Sequence, residues 1–152
     1  MKKVYDNKAF FKTIEESLSN NEKVAFIVKG NSMKPFFIDG LTEVFLKKKL
    51  NYNKKDICLF KKNDTYFLHR LIKIKQGLYY FRGDNLNQYE IVKPIALIGY
   101  VYQYKNNDRI IKTNNFFYKL KLYCFLAYKK IYLILRAIYL GVKSGFSSSK
   151  KH

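Results

Sequence analysis

Three short stretches hold residues that could carry acyl-transfer chemistry. The first is Gly30-Asn31-Ser32-Met33-Lys34-Pro35, which follows the apolar run Val24 to Val28. That run reads as a buried strand, and it breaks at Gly30. Pro35 removes a backbone donor and forbids a continuing central strand. Ser32 is therefore expected on a rigid turn at a strand end, where its hydroxyl is presented as a nucleophile. The second stretch is Leu68-His69-Arg70-Leu71, a histidine inside an apolar strand pattern. The third is Phe81-Arg82-Gly83-Asp84-Asn85, which ends in a turn. Singly, each has a plainer explanation: a loop serine, a packed histidine, an aspartate that stabilises its own turn. Together they supply a nucleophile, a base and an acid, the minimum set for serine-based acyl transfer.

The elements that must position these groups are short strands. Ala9 to Leu18 reads first as a helix, with Phe10, Phe11, Ile14 and Leu18 at helical spacing and Lys12, Glu15 and Glu16 on the other side. Such a helix can cover one face of a sheet, but one short helix does not make a helix-turn-helix DNA reader. Strands are expected at Val24 to Val28, Glu43 to Leu46, Ile57 to Phe60, Tyr66 to Ile74, Leu78 to Arg82 and Ile95 to Tyr104. Alternation along the fourth puts His69 on the face opposite Leu68 and Arg70. Gly99 marks a bulge or a close approach in the last. The expected fold is mainly β, a small antiparallel, partly closed β-barrel with a short N-terminal helix. This domain spans residues 1–112, followed by a basic apolar helical segment over 113–143 and a polar tail over 144–152.

The helical segment is the unusual part. Phe116 to Leu140 is long and apolar, yet Lys119, Lys121, Lys129, Lys130 and Arg136 interrupt it. Lys129 and Lys130 would lie mid-span in a transmembrane helix, at a cost of about 2.5–3.5 kcal/mol each. The alternatives are a basic, aromatic-rich helix or helical hairpin on an anionic membrane surface, or a helix packed on the domain or a partner subunit.

The formal net charge is +19 over 152 residues, and no acidic residue follows Asp108. Such a balance points to nucleic acid or anionic membrane, although a composition rich in Lys, Asn, Ile, Tyr and Phe raises the charge without selection for a partner. Two cysteines, Cys58 and Cys124, make neither a disulfide framework nor a metal-ligand set, and Cys58 sits in an apolar run as a packed thiol. No cofactor or metal is called for. The N-terminus begins Met-Lys-Lys, but Asp6, Asn7 and Lys8 interrupt any apolar signal core. The expected location is cytoplasmic or peripheral on the inner face of the membrane.

The order Ser32-Met33-x-Pro35, Asp56-Ile57-x-Leu59-Phe60, His69-Arg70-Leu71 and Gly83-Asp84-Asn85 resembles the signal peptidase I and LexA-like superfamily of serine peptidases, over roughly Ala25 to Val101. It is most similar to the S24/S26-type members that carry histidine at the general-base position. The resemblance implies that Ser32 attacks a peptide carbonyl, that His69 takes its proton and returns it to the leaving amine, and that a carboxylate orients the ring. Asp84 matches the family's turn aspartate. The histidine-type enzymes place a second acidic residue six positions later, and here that residue is Glu90. Either carboxylate fits the role. Backbone donors at Asn31, Ser32 and Met33 would form the oxyanion hole. Gly30 stands where signal peptidases often carry a hydroxyl residue, and Asn31 is a substitute for it. Met33 fills the core under the turn and Pro35 stiffens it.

The implied partner is a leader or signal peptide bound as an added strand and cut after a small residue. A LexA-type self-cleaving repressor is disfavoured, because about thirty residues precede Ser32, no Ala-Gly pair lies among them, and the base is not lysine. A non-catalytic peptide- or membrane-binding module that kept the fold is the alternative. A basic nucleic-acid-binding barrel would need exposed aromatics on its basic face, and nucleic acid is the less expected partner.

Overall fold

The computed structural model describes residues 7–148, with side chains over 8–140. Residues 1–6 and 149–152, including the N-terminal lysines and the end of the expected tail with His152, lie outside them. The chain divides into two compact units, Met1–Thr113 and Asn114–His152.

The first unit runs α1 (Asn7–Ser19), β1 (Val24–Ile27), β2 (Glu43–Lys47), β3 (Ile57–Lys62), β4 (Thr65–Lys75), β5 (Leu78–Arg82), β6 (Glu90–Val92), a 3-10 turn at Pro94–Ala96, β7 (Leu97–Asn106) and β8 (Arg109–Lys112). The eight strands form one antiparallel sheet in the order β1-β2-β7-β3-β4-β5-β6, with β8 also pairing β7. The mainly β, antiparallel architecture is thus as expected. The expected partial closure into a barrel is not present, and the sheet is open. Its end strands, β1 and β6, are four and three residues long, too short to offer a ladder that would seam the edges together.

Two strands lay beyond sequence reading. β6 is only Glu-Ile-Val before Pro94. β8 is Arg-Ile-Ile-Lys, returned onto β7 by a turn in which Asn107 adopts a positive φ. The core lies between well-patterned elements. Cys58, Phe60, Leu71, Phe81 and Val92 form one buried cluster, with Phe67, Tyr79 and Leu97 packed against it. Helix α1 buries Ile14 and Leu18, and its Phe11 ring stacks on Tyr66 of β4 at 5.1 Å. Gly99 of β7 answers both expectations made of it. A Cβ there would stand 3.0 Å from a Leu18 methyl, and the β3–β7 register shifts beside it.

Within Lys47-Lys48-Lys49, Lys48 is exposed to solvent but Lys49 is not a free surface charge. Lys49 pairs with Asp56 and lies 4.2 Å from the centre of the Tyr100 ring, so its ammonium is neutralised and its stem packed.

The second unit is one helix, α2 (Phe116–Ser148), whose N-terminus is capped by Asn115: its side-chain oxygen accepts from the Phe117 N–H at 2.8 Å. It is a single continuous helix, not a helical hairpin. No turn-forming residue interrupts the chain before Gly141, so the backbone has no place to reverse. It also continues to Ser148, past the expected start of the polar tail. Among the described residues no helix is long and apolar enough to cross a membrane.

Candidate active site

Ser32 lies on a loop whose two ends are pinned together. The Val28 N–H donates to the Thr42 carbonyl and the Gly40 N–H to the Val28 carbonyl, both at 2.9 Å. Within the loop, Gly30 adopts a φ of +97°, a conformation an L side chain resists, and its N–H donates to Asp39 Oδ1 at 2.8 Å. The Phe36 and Phe37 amides return to the Met33 carbonyl. Met33, Phe36 and Phe37 are buried beneath the loop, as expected for Met33, and Pro35 follows a cis peptide at its exposed rim. Asn106 of β7 anchors the loop from outside: its side-chain amide donates to the Phe36 carbonyl at 3.0 Å, and its oxygen accepts from the fully buried Thr42 hydroxyl.

The loop is also fastened to the turn after β5. The Asn85 N–H donates to the Ser32 carbonyl at 2.8 Å. The backbones approach so closely that a Cβ at Gly83 would stand 2.7 Å from that same oxygen, so only glycine fits there. Among the described residues the amides of Asn31, Ser32 and Met33 donate to no acceptor, whereas the next, Lys34, is committed to the Asn31 carbonyl. Three successive unclaimed donors therefore flank the Ser32 hydroxyl.

His69 and Arg70 sit mid-strand in β4 and point to opposite faces. His69 is 4% exposed, packed near the Phe60 and Phe67 rings. Its Nδ1 lies 3.0 Å from Glu90 Oε2. An ionised carboxylate only accepts, so Nδ1 carries the proton, and Nε2 of the neutral ring keeps its lone pair. Neither Nε2 nor the Ser32 hydroxyl has a hydrogen-bond partner among the described residues. Glu90 opens β6 and is paired in register with Phe81 of β5, beside the Leu71–Phe81 pair of β4 and β5. The sheet itself thus sets Glu90 beside the histidine.

Asp84 is engaged elsewhere. Its two oxygens accept from Arg70 Nε at 2.7 Å and Nη2 at 2.6 Å, a buried bidentate pair. Arg70 also donates to the Lys55 carbonyl and stands 5.0 Å from the centre of the Phe36 ring. The Arg70–Asp84 pair consequently ties three pieces together: the histidine strand, the turn that grips Ser32, and the loop that carries it. Of the sequence-predicted residues, the structure joins His69 to Glu90, joins Ser32 through its backbone to the Asp84 turn, and gives the Asp84 carboxylate to Arg70.

Sequence reasoning missed Arg70, Thr42 and Asn106. For Arg70 a signal existed: a charge within an apolar strand is seldom buried unless paired. For the other two there was none. Cys58, opposite His69 in the β3–β4 register, is fully buried. Burial foremost, and Asp56 next, push its thiol well above the ordinary range, so it is a packing group beside the histidine and not a competing nucleophile. A surface cleft of about 930 Å³ between α1 and the β3–β4 hairpin, lined by Lys12, Glu15, Lys61 and Tyr66 among others, includes none of the site residues. Among the described residues no cluster of His, Cys, Asp or Glu could hold a metal.

The mainly β, open antiparallel sheet agrees with a serine-peptidase-like or LexA-like fold. The model of the Peptidase S24-like family matches residues 3–101, and the chain belongs to that family. Comparison with curated proteins finds no match.

Proposed function

We propose that the chain is a serine endopeptidase that cuts an extended leader or signal peptide, with a specificity of the signal peptidase I type. Ser32 Oγ attacks the scissile carbonyl while its proton passes to His69 Nε2. The imidazolium then protonates the leaving amine as the C–N bond breaks, and water, activated by the same ring, hydrolyses the acyl-enzyme. Glu90 fixes the tautomer and stabilises the charged ring. The amides of Asn31, Ser32 and Met33 receive the oxyanion. Asp84 acts on geometry, through Arg70, and not on the proton.

The observation that carries this reading is the His69 Nδ1–Glu90 hydrogen bond with Nε2 left unbonded. It is the arrangement a general base requires. That the Ser32 hydroxyl makes no bond to the ring suits a substrate-free site, where such contacts are often long. The same observation favours, as the alternative, a non-catalytic module that binds peptides with the retained fold. The test is cleavage of a panel of leader and signal peptides by wild type and Ser32→Ala. Cleavage abolished by the substitution supports the peptidase. No cleavage by either form, with equal peptide binding by both, selects the binding module.

A further inference from the structure

We infer that α2 is a docking helix that lies flat on an anionic lipid bilayer. Twelve large apolar or aromatic side chains of this helix are at least half exposed, far more than the scattered few that a solvated surface carries. They are not evenly spread. At 3.6 residues per turn, Phe117, Leu120, Tyr128, Ile131, Leu135 and Ile138 fall on one side of the helix, and all six are exposed. Tyr123 and Ile134, also exposed, widen this stripe along one margin. No charged residue shares it. Lys119 and Lys130 border it on that flank and Lys121 on the other, while Lys129 and Arg136 occupy the opposite face. The basic residues thus surround an uninterrupted apolar stripe, a division that emerges only once the segment is known to be one continuous helix.

The charge is one-signed. The helix contains no Asp or Glu, so a coat of like helices would repel, and the complementary surface is acidic. The helix does not meet the requirement for crossing a bilayer, and Lys129-Lys130 would stand mid-span if it did. An interfacial helix satisfies both halves: the stripe enters the headgroup–acyl boundary and the flanking lysines meet lipid phosphates. The aromatic content, with Tyr128 and Phe117 in the stripe, suits that boundary, where amphipathic rings concentrate.

The chain has no tryptophan, which gives a clean probe. In the full-length protein, Leu135→Trp places an indole in the stripe, and Leu133→Trp places one on the opposite side. Phosphatidylcholine vesicles with and without phosphatidylglycerol are titrated against each variant at low and high salt. The expected result is binding to the anionic vesicles alone, weakened by salt, with a blue shift of the indole emission in Leu135→Trp and little shift in Leu133→Trp. Lys119→Gln with Lys130→Gln should weaken binding roughly 20- to 30-fold, about fivefold per charge, and Ile131→Glu should abolish it. Equal affinity for neutral vesicles, equal shifts in the two variants, or no vesicle binding overturns the proposal. So does a concentration-dependent dimer that Ile131→Glu dissolves, which would assign the stripe to a second copy of the chain.

Discussion

Glu90 Oε2 accepts from His69 Nδ1 at 3.0 Å, while the aspartate six residues earlier in the chain is held by an arginine. Two carboxylates of similar chemistry and near-equal claim by sequence are thereby given different work. Glu90 acts on the imidazole, and Asp84 acts on the scaffold.

The two carboxylates should therefore fail differently. Glu90→Gln keeps the shape but offers no charge to a protonating ring, and its amide can present a donor to Nδ1. We expect kcat to fall by roughly 10²–10⁴, within the range such orienting groups command. Because Glu90 lies at the edge of the sheet, the melting temperature should change little. Steady-state kinetics beside thermal unfolding checks this, and an unchanged kcat would remove Glu90 from the mechanism.

Asp84→Ala should act first on stability. It leaves the Arg70 guanidinium buried without its counter-charge, at a cost of about 3–5 kcal/mol. Arg70→Met should cost a similar amount, and the double substitution less than the sum, because no unpaired charge remains. Denaturant unfolding of the two single variants and the double variant measures the coupling. Additive losses would show that the pair does not act as a unit.

Gly83→Ala tests the grip of the turn on the serine loop. The new methyl would meet the Ser32 carbonyl at 2.7 Å, and both partners there are backbone, so one must move. We expect a loss of about 1–3 kcal/mol, with a larger fractional loss of activity than of folded protein, because the displaced atom belongs to Ser32, the proposed nucleophile. Full activity in a normally stable Gly83→Ala variant would contradict the contact.

The two thiols should be told apart by reagent. Cys124 is exposed and Cys58 fully buried, so a thiol-reactive dye should label one cysteine per native chain and two after unfolding. Alkali adds a second readout. Burial holds the Cys58 thiol well above 9.0 and pushes Tyr52 from 10.0 up to about 12. The unfolded chain therefore releases these protons first, and stability must fall as pH rises. For Tyr52 the loss runs from pH 10 to about 12, and for Cys58 it begins near pH 9. Denaturant midpoints measured upward from about pH 8 should decline, less steeply in Cys58→Ala once the unfolded thiol ionises.

Much of the framework was legible in the sequence because it rests on local patterns. The long alternation around His69, the apolar run before Ser32 and the helical spacing of Phe11, Ile14 and Leu18 each encode their element directly. What escaped depends on partners distant in the chain. β6 is too short to announce itself, yet its register places Glu90 beside His69 from twenty-one residues away. The open edges were hidden because strand count does not determine closure. The apolar strand around Arg70 signals that its charge needs a partner, but which partner is decided only once Asp84 and Phe36 are folded around it.

The proposed chemistry rests on the activation of Ser32 by His69. The most direct measurement is covalent labelling with a fluorophosphonate, mapped by mass spectrometry, because it reads the nucleophile without knowledge of the natural peptide. We predict modification at Ser32 in the wild type, its absence in Ser32→Ala, and a loss of roughly a hundredfold or more in labelling rate in His69→Ala. A wild-type protein unmodified at Ser32, or labelled there at an undiminished rate without His69, would contradict it.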